Sequence, residues 1–311
     1  MKAFTTCAQQ DGILVVNKPS GPTSAACIAK IKRQLGQKKI GHAGTLDPMA
    51  SGVLLVLLGQ ATKLSGHLMA AGEKIYAGTL RLGEATDTWD AEGTVTERRD
   101  ASHVTEAMLA DGIASWIGET EQEVPPYSAA KHQGKPLYEL ARKGLETPVK
   151  TKTVRITSAE IQWVDFPHCR FRVACGSGTY IRSLAHSLGI RLGCGATLTE
   201  LTREYSHPFG LDSAHDLDTI LGNPDRFAEC VTPLHAALPN WPLFTLSGDE
   251  EARVKNGMRI PFRGWDGNPA AGFDPGATAL MQNADGVPVA LAECGLDNGA
   301  PAWVIIRGLW N

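Results

Sequence analysis

The chain has 311 residues, of which 43% are apolar and 20% are charged, a composition typical of a soluble globular protein. Its formal net charge of −3 argues against a generic polyanion-binding protein. No run reaches the roughly 18 apolar residues of a membrane span. Because this length exceeds what one hydrophobic core usually serves, we expect two domains.

The N-terminal stretch Met1–Thr6 lacks the apolar core of a signal peptide, so we expect a cytoplasmic protein. Seven cysteines without a Cys-x-x-Cys pair indicate neither a disulfide framework nor a zinc site. Cys169 and Cys175 lie in a strand-like segment and are expected to be reduced thiols in or near the core. His168 adjoins Cys169, but no second ligand pair accompanies it.

The first predicted elements are a strand at Gly12–Val16, a rigid turn at Asn17–Pro22 and a helix that ends near Leu35. We expect Ser24 to cap this helix, because its hydroxyl can accept a hydrogen bond from the first turn. Apolar spacing predicts an inner helix face made of Cys27, Ile28, Ile31 and Leu35.

The next segment, Gly41–Gly52, surrounds the single carboxylate of Asp47 with small residues and Pro48. The apolar run Val53–Leu58 follows at once and is typical of a buried strand. Pro48 biases Asp47 away from the α region, and the glycines permit close backbone approaches. This pattern fits either a turn in which Asp47 bonds its own backbone or a carboxylate held at the edge of a cleft.

Beyond a short helix that opens at Ala61–Leu64, the segment Lys74–Gly83 alternates like a half-buried strand. An acidic connection follows at Glu84–Gly93. Asp87 and Asp90 in this connection invite a metal-site hypothesis, but the EF-hand pattern is incomplete. We therefore expect these two carboxylates to order the loop by hydrogen bonding.

After a helix predicted at His103–Ile117, the segment Val124–Gly144 combines a Pro-rich entry with aromatic and cationic residues. Cations also concentrate between Lys18 and Lys39, where no acid interrupts them, and between Lys131 and Arg155. Two local basic segments in an acidic chain suggest a phosphate-contacting face. Simple solvated helix faces explain the same charges equally well.

A strand at Phe171–Cys175 is predicted to lead through a Gly-rich turn into a helix at Gly176–Ala185. Such a turn can hold a phosphate at the helix N-terminus, but the absence of a Gly-Lys-Ser/Thr triplet argues against a nucleotide P-loop. Pro233, Pro239 and Pro242 then mark a linker. The short apolar strands beyond it indicate a small β-domain and include Gly257–Ile260, Pro288–Ala292 and Trp303–Arg307.

Several of these motifs resemble one enzyme family. The eleven residues Gly-Thr-Leu-Asp-Pro-Met-Ala-Ser-Gly-Val-Leu around Asp47 resemble the catalytic motif of the TruB family of tRNA pseudouridine synthases, which isomerise uridine 55 in the T-loop. Further similar segments are Asn17–Gly21, Thr86–Asp90 and Leu201–Arg203. The resemblance extends from about Gly12 to His235.

The resemblance implies a mixed α/β (α+β) pseudouridine synthase fold with a central, largely antiparallel sheet. It implies a catalytic domain at 1–238, with an RNA-clamping insertion at about 124–152. The tail at 239–311 resembles a β-rich, PUA-like RNA-binding domain, although this match is weaker.

The resemblance also implies residue roles. Asp47 corresponds to the nucleophile, Arg182 to the arginine that pairs with it, and Tyr76 to the tyrosine that stacks on the target uracil. His42 resembles the residue that fills the space of the flipped-out nucleotide. The implied substrate-binding residues are His42, Lys18, Pro19, Tyr180 and Leu201. The implied RNA-binding residues are Lys131, Lys135, Lys143, Lys150 and Lys152.

Pseudouridine formation oxidises, reduces and hydrolyses nothing, so we expect no cofactor and no metal. Whether the carboxylate attacks ribose C1′ or the uracil ring stays open. We expect tRNA as the partner of a monomer that needs neither a protein partner nor a membrane. Two alternatives are a non-catalytic tRNA-folding module and a nucleoside glycosidase. A retaining glycosidase would need a second carboxylate roughly 5 Å from the first.

Overall fold

The computed structural model describes residues 7–70, 72–128, 130–143, 148–266, 268 and 272–310. Within these ranges the chain forms one large sheet, a smaller sheet in the C-terminal part and two short hairpins. No helix in the same ranges is long and apolar enough to cross a membrane.

The first part of the chain contains fifteen strands within the described residues. Their bounds are β1 (Gly12–Lys18), β2 (Ile40–Ala43), β3 (Ser51–Leu58), β4 (Lys74–Leu82), β5 (Glu84–Thr86), β6 (Val95–Arg98), β7 (Gly118–Glu123), β8 (Lys131–His132), β9 (Lys135–Pro136), β10 (Thr151–Asp165), β11 (His168–Cys175), β12 (Ala196–Ser206), β13 (Phe209–Gly210), β14 (His215–Asp216) and β15 (Val231–Thr232).

Six α-helices accompany these strands in the described residues. They are α1 (Ser24–Leu35), α2 (Ser65–Ala70), α3 (Glu106–Ala114), α4 (Leu137–Arg142), α5 (Ile181–Arg191) and α6 (Leu217–Gly222). Turns of 3₁₀ helix lie at Gly59–Leu64, Leu211–Ser213, Pro224–Cys230 and Leu234–Ala237.

The large sheet follows the strand order β14-β1-β3-β12-β4-β11-β10-β7, with β2 beside β3, β13 beside β12 and β15 beside β1. All of these pairs are antiparallel except β1–β14 and β3–β12. The prediction of a mixed fold with a largely antiparallel sheet is therefore confirmed. The parallel pair β3–β12 aligns Ser51 with Thr202 and Gly52 with Arg203. This register places the loop before β3 near the middle of the sheet.

Local sequence explains the elements that frame this loop. Nearly every side chain of β3 is buried, as expected for a central strand covered on both faces. Helix α1 buries Cys27, Ile31 and Leu35, which recur every four residues along one face. The helix ends at Gly36, whose positive φ of 68° suits a left-handed C-cap.

Two local predictions are corrected. Thr23, not Ser24, caps α1, since the Thr23 side chain accepts a hydrogen bond from the amide of Ala26. Ser24 is buried and bonds another loop. The helix expected over His103–Ile117 is shorter, because Thr105 caps α3 and Ser115 ends it.

Strand β4 was expected to be half-buried, but it is buried on both faces over most of its length. It lies between β12 and β11 inside the sheet, so neighbouring strands and helices cover both of its sides. Cys169 and Cys175 on the adjacent strand β11 are fully buried, and burial raises the pKa of each thiol to about 11. The prediction of reduced core thiols is confirmed, since all seven cysteines are free.

The C-terminal part has the strand order β16-β18-β19-β20-β17 in its sheet. Its elements are β16 (Leu243–Thr245), α7 (Gly248–Lys255), β17 (Ile260–Pro261), β18 (Thr278–Gln282), β19 (Pro288–Asp297) and β20 (Ala300–Gly308). This observation confirms a small β-rich C-terminal region. The boundary at 238/239 stays a prediction.

The two sheets share an apolar cluster. Leu280, Leu291 and Leu309 from the C-terminal part join Leu55 and Leu57 of β3 in it. The Pro-marked segment between the sheets is packed rather than extended, because its 3₁₀ helix and the residue that follows it bury members of the same cluster: Leu234, Ala237 and Leu238. Lys63 adds hydrogen bonds across the contact by donating to the carbonyls of Gly308 (2.9 Å) and Trp310 (2.8 Å).

Candidate active site

The loop that carries Asp47 is held through its backbone carbonyls. Lys18, at the end of β1, is fully buried, and its Nζ donates to the carbonyls of Pro19 (2.8 Å), Pro48 (3.2 Å) and Ala50 (2.7 Å). Burial lowers the pKa of this ammonium. The three carbonyls match its three N–H donors, so Lys18 braces the loop from beneath.

The turn after β1 fastens the same loop. It supplies three hydrogen bonds at loop carbonyls: Ser20 Oγ to Met49 (2.9 Å), the Gly21 amide to Pro48 (2.8 Å) and Ser24 Oγ to Leu46 (2.9 Å). The Ser24 hydroxyl also accepts the amide of Leu46 at 2.9 Å. Its tie to the Asp47 loop explains why Ser24 is buried and does not act as the helix cap.

Arg203 holds the two ends of the loop from the other side. It is 1% exposed on β12, and it donates to the carbonyls of Val53 (2.7 Å) and Gly44 (3.0 Å). Gly52 lies directly against it, since a Cβ there would stand 2.2 Å from the Arg203 carbonyl oxygen. The Leu-x-Arg motif is visible in the sequence, but the motif alone assigned Arg203 no role.

Arg182 grips the Asp47 carboxylate with two nitrogens. Nε donates to Oδ2 at 2.9 Å and Nη2 donates to Oδ1 at 3.0 Å, a planar two-pronged pairing. The Arg182 side chain is 4% exposed, whereas that of Asp47 is 33% exposed. The carboxylate is therefore fixed from the protein side and accessible from the solvent side. This arrangement favours a carboxylate held at the edge of a cleft over a turn in which Asp47 bonds its own backbone.

The remaining donors of Arg182 bind backbone. Nη1 donates to the carbonyl of Thr88 (3.0 Å) and Nη2 to that of Tyr127 (3.1 Å). A second carboxylate, Asp90, lies 3.5 Å from Nε and is buried. Burial raises the pKa of Asp90, against the opposing effects of the Thr88 hydroxyl and the Arg182 charge.

Asp87 and Asp90 order their loop, as the sequence predicted. Thr88 Oγ1 donates to Asp90 Oδ1 at 2.6 Å, and the amide of Thr94 donates to Asp87 Oδ1 at 2.7 Å. No group of three or more metal-ligating side chains occurs among the described residues. The contact between Asp90 and Arg182 was not predicted, because nothing in a local motif shows which distant helix packs on the loop.

Tyr76 and Leu201 lie on neighbouring strands of the sheet. The register pairs Tyr76 with Arg203 and Gly78 with Leu201. The side chains of Tyr76 and Leu201 are therefore diagonal neighbours on adjacent strands, beside the Asp47 loop. Tyr76 is 7% exposed, and burial raises the pKa of its phenol, an effect that the Asp47 charge reinforces. The phenol is consequently protonated at neutral pH.

The other predicted substrate-binding residues surround this centre. His42 lies on β2, its Nδ1 is buried without a hydrogen-bond partner, and burial together with the Arg203 charge lowers its pKa. Tyr180 immediately precedes α5, where its amide donates to Gln122 Oε1 at 2.7 Å. Pro19 is exposed next to the buried Lys18. Gln122, which anchors the start of the helix bearing Arg182, was not anticipated.

The described lysines of the predicted basic segment lie at or near the surface. Lys143 and Lys152 are exposed, Lys150 is half-buried, and Lys152 approaches the Ser177 carbonyl at 3.5 Å. Lys131 and Lys135 belong to the hairpin β8–β9, but their side chains lie outside the described residues. Their RNA-binding role stays a prediction.

A family match and two curated relatives all point to the same family. Residues 32–181 match the family described as "TruB family pseudouridylate synthase (N terminal domain)". The tRNA pseudouridine synthase B of Nitratidesulfovibrio vulgaris (strain Hildenborough) is 64% identical over 303 residues, which cover 97% of this chain and 99% of that protein. This chain belongs to the TruB family. The tRNA pseudouridine synthase B of Geobacter sulfurreducens is 39% identical over 97% of this chain and 95% of its own.

A solved structure supports the same fold. A chain from "Crystal Structure of a Cbf5-Nop10-Gar1 Complex" superposes with a TM-score of 0.72 at 25% identity, covering 97% of this chain and 85% of its own.

The TruB-family match to residues 32–181 contains Asp47 and Tyr76 and stops one residue before Arg182. The family resemblance of the sequence is thus confirmed.

Proposed function

We propose that this pseudouridine synthase isomerises uridine 55 in the T-loop of tRNA. The observation that carries the proposal is the two-pronged Asp47–Arg182 pair, buried on the arginine side and open on the aspartate side. The full-length relatives named tRNA pseudouridine synthase B support tRNA as the substrate. A cytoplasmic monomer that requires no protein partner and no cofactor fits this activity.

The reaction breaks the bond between uracil N1 and ribose C1′, turns the freed base and joins C5 to C1′. The proton that leaves C5 balances the one gained at N1, so no external reagent is consumed. Asp47 acts as the nucleophile, either at C1′ or at the ring. Because Arg182 holds both carboxylate oxygens, Asp47 meets the substrate in one orientation and loses little freedom on reaction.

A base inside a folded T-loop cannot reach Asp47, so the nucleotide must be flipped out at a cost of a few kcal/mol. In this proposal His42 occupies the vacated space, and Tyr76 and Leu201 receive the uracil against an aromatic and an apolar surface. Burial keeps the Tyr76 phenol protonated, which favours stacking over service as a resting phenolate. The basic segment binds phosphates in the rest of the tRNA by charge.

The glycosidase alternative gains a second carboxylate in Asp90, which shares Arg182 with Asp47. The Asp90 side chain is only 5% exposed, and its Oδ1 accepts hydrogen bonds from Thr88 and the Glu92 amide. A general acid must touch the leaving group, so this enclosed position disfavours the alternative.

A T-loop stem-loop transcript separates the candidate activities. The synthase converts its uridine 55 to pseudouridine and leaves the chain intact, whereas a glycosidase releases free uracil. An RNA-folding module binds the transcript and yields neither product. A transcript with cytidine at position 55 is the matched control, and absence of pseudouridine from the uridine transcript would refute the proposal.

A further inference from the structure

The turn Thr88–Asp90 contains an unusual residue. Trp89 has a positive φ of 65°, a conformation that is strained for a bulky side chain and persists only where the surrounding structure enforces it. The Trp89 side chain is 7% exposed. Its backbone is held on both sides, since its amide donates to Thr86 (3.3 Å) and its carbonyl accepts from Leu198 (3.2 Å).

The ring of Trp89 stacks on His186. The ring centroids are 4.2 Å apart and the planes differ by 7°, a face-to-face contact between the turn and helix α5. His186 lies four residues after Arg182, so both side chains project from the same face of α5. Arg182 in turn donates to the Thr88 carbonyl (3.0 Å) and lies 3.5 Å from Asp90.

Helix α5 therefore meets the turn at two points, one helical turn apart. At one point Arg182 binds the residues on either side of Trp89, and at the other His186 stacks on Trp89 itself. A cavity of about 260 Å³ is lined in part by Trp89, Gln122 and His186, which leaves room for the indole to move when its partner is truncated.

We propose that Trp89 and His186 form a positioning pair that sets the Thr88–Asp90 turn against α5 and so orients Arg182 towards Asp47. Neither ring touches the substrate; the pair acts through Arg182. This inference rests on the proposed function, because its readout is the rate of pseudouridine formation.

Four variants isolate the stacked rings. Trp89→Gly removes the indole but tolerates the positive φ, and His186→Ala removes the imidazole without altering the turn. Trp89→Phe and His186→Phe keep an aromatic face at each position. Phe227→Leu is the matched control, because Phe227 is also a buried aromatic residue (1% exposed) but lies in the 3₁₀ helix Pro224–Cys230 and does not line this cavity.

Single-turnover rates at saturating enzyme, tRNA affinities and thermal midpoints are measured for each variant. An aromatic pair contributes about 0.5–1.5 kcal/mol, so we expect Trp89→Gly and His186→Ala each to slow the single-turnover rate up to about tenfold with unchanged affinity. The double variant should be no slower than either single one, and the Phe variants should recover most of the rate. Phe227→Leu should lower the midpoint alone.

Unchanged rates in both truncations would overturn the inference while wild-type activity upholds the proposed function. Rate losses that simply add in the double variant, or that the Phe variants fail to recover, would overturn it as well. If the wild type makes no pseudouridine, the proposed function fails first and the inference fails with it. Should Trp89→Gly not fold, His186→Ala and its Phe counterpart carry the same test.

Discussion

Two cationic regions of this molecule use their charges in opposite ways. Around the Asp47 loop, Lys18, Arg182 and Arg203 are buried and direct most of their donors at backbone carbonyls. In the basic segment, Lys143 and Lys152 are exposed to solvent. The first set holds one carboxylate in place, whereas the second suits a flexible polyanion.

The difference shows what each region can tolerate. A buried cation that satisfies several carbonyls leaves all of them unpaired when it is removed, which costs about 1–3 kcal/mol for each unsatisfied group. An exposed lysine contributes mainly long-range attraction that salt screens. Substitutions in the loop should therefore change rate or stability, and substitutions in the basic segment should change affinity.

The most severe test replaces the nucleophile. Asp47→Asn preserves the shape of the side chain but removes its charge, and we expect single-turnover isomerisation to fall at least about 1000-fold while tRNA binding persists. Asp87→Asn is the control, because it removes a carboxylate charge from a side chain whose described hydrogen bond is with the Thr94 amide and not with Arg182. Substantial pseudouridine formation by Asp47→Asn would remove Asp47 from the mechanism.

The second test breaks the pairing but keeps its charge. An ammonium cannot reproduce the planar fork, so Arg182→Lys leaves Asp47 and the carbonyls of Thr88 and Tyr127 incompletely bound. We expect the single-turnover rate to fall about 100-fold, because misplacement by about 1 Å has an effect of that size. Arg172→Lys, at a half-exposed pair with Glu204, should leave the rate unchanged.

The third test targets the brace beneath the loop. Lys18→Met fills similar volume but removes the donor of the buried Ala50 carbonyl, and we expect it to lower the free energy of unfolding by about 1–3 kcal/mol in urea titrations. Lys30→Met is the control, since Lys30 forms a partly exposed pair with Asp218 at 3.4 Å and should change stability by less than about 1 kcal/mol. Equal effects of the two substitutions would contradict a bracing role.

The fourth test concerns the basic segment. Neutralising its five lysines to glutamine should weaken tRNA binding and flatten the dependence of affinity on salt by about 0.7–0.9 for each phosphate that is no longer neutralised. The substituted positions are Lys131, Lys135, Lys143, Lys150 and Lys152. Turnover at saturating RNA should be preserved, because the Asp47 loop is untouched. An unchanged salt slope would reject the RNA-clamping role.

The Lys255→Gln variant serves as its control, since Lys255 pairs with Glu251 on another helix at 2.7 Å. A collapse of the saturating rate in the five-lysine variant would instead mean that the segment also orders the catalytic centre. Either result sharpens the contrast between the two regions.

The smallest expected effect is a pH dependence. Burial lowers the pKa of His42 and of His186 below the ordinary value of 6.5. As pH falls through 6.5 the unfolded chain takes up protons first, so the folded state loses stability in the acidic direction. Urea titrations between pH 8 and pH 5 should show this decline, and His42→Gln should reduce its slope without altering the value at pH 8.

Much of the fold could be predicted because hydrophobic spacing marks single elements. The helix ending at Leu35 and the strand through Leu58 follow from local apolar patterns. The exposure of β4 could not be predicted in the same way. Its alternating pattern suits one buried face, but β12 and β11 flank it, and such neighbours are set by topology rather than by local sequence.

The candidate site could also be predicted only in part from the sequence. Family resemblance pointed to Asp47, Tyr76 and Arg182, and the structure brings Asp47 and Arg182 into direct contact. It did not point to the supports, such as the Ser24 hydroxyl on the Leu46 backbone or Arg203 spanning the loop ends. These contacts join residues 22 to 159 positions apart, so no short motif contains both partners.

The close approach at Gly52 shows that the fold and the reaction depend on different residues. Gly52 has a φ of 101°, and a methyl group there would stand 2.2 Å from the Arg203 carbonyl oxygen. Any side chain at this position would force β3 away from β12, whereas Asp47 lies outside both strands and its carboxylate binds helix α5. A lineage that lost the activity could therefore drift at Asp47 and still fold, while Gly52 would remain under purifying selection for as long as the protein folds at all.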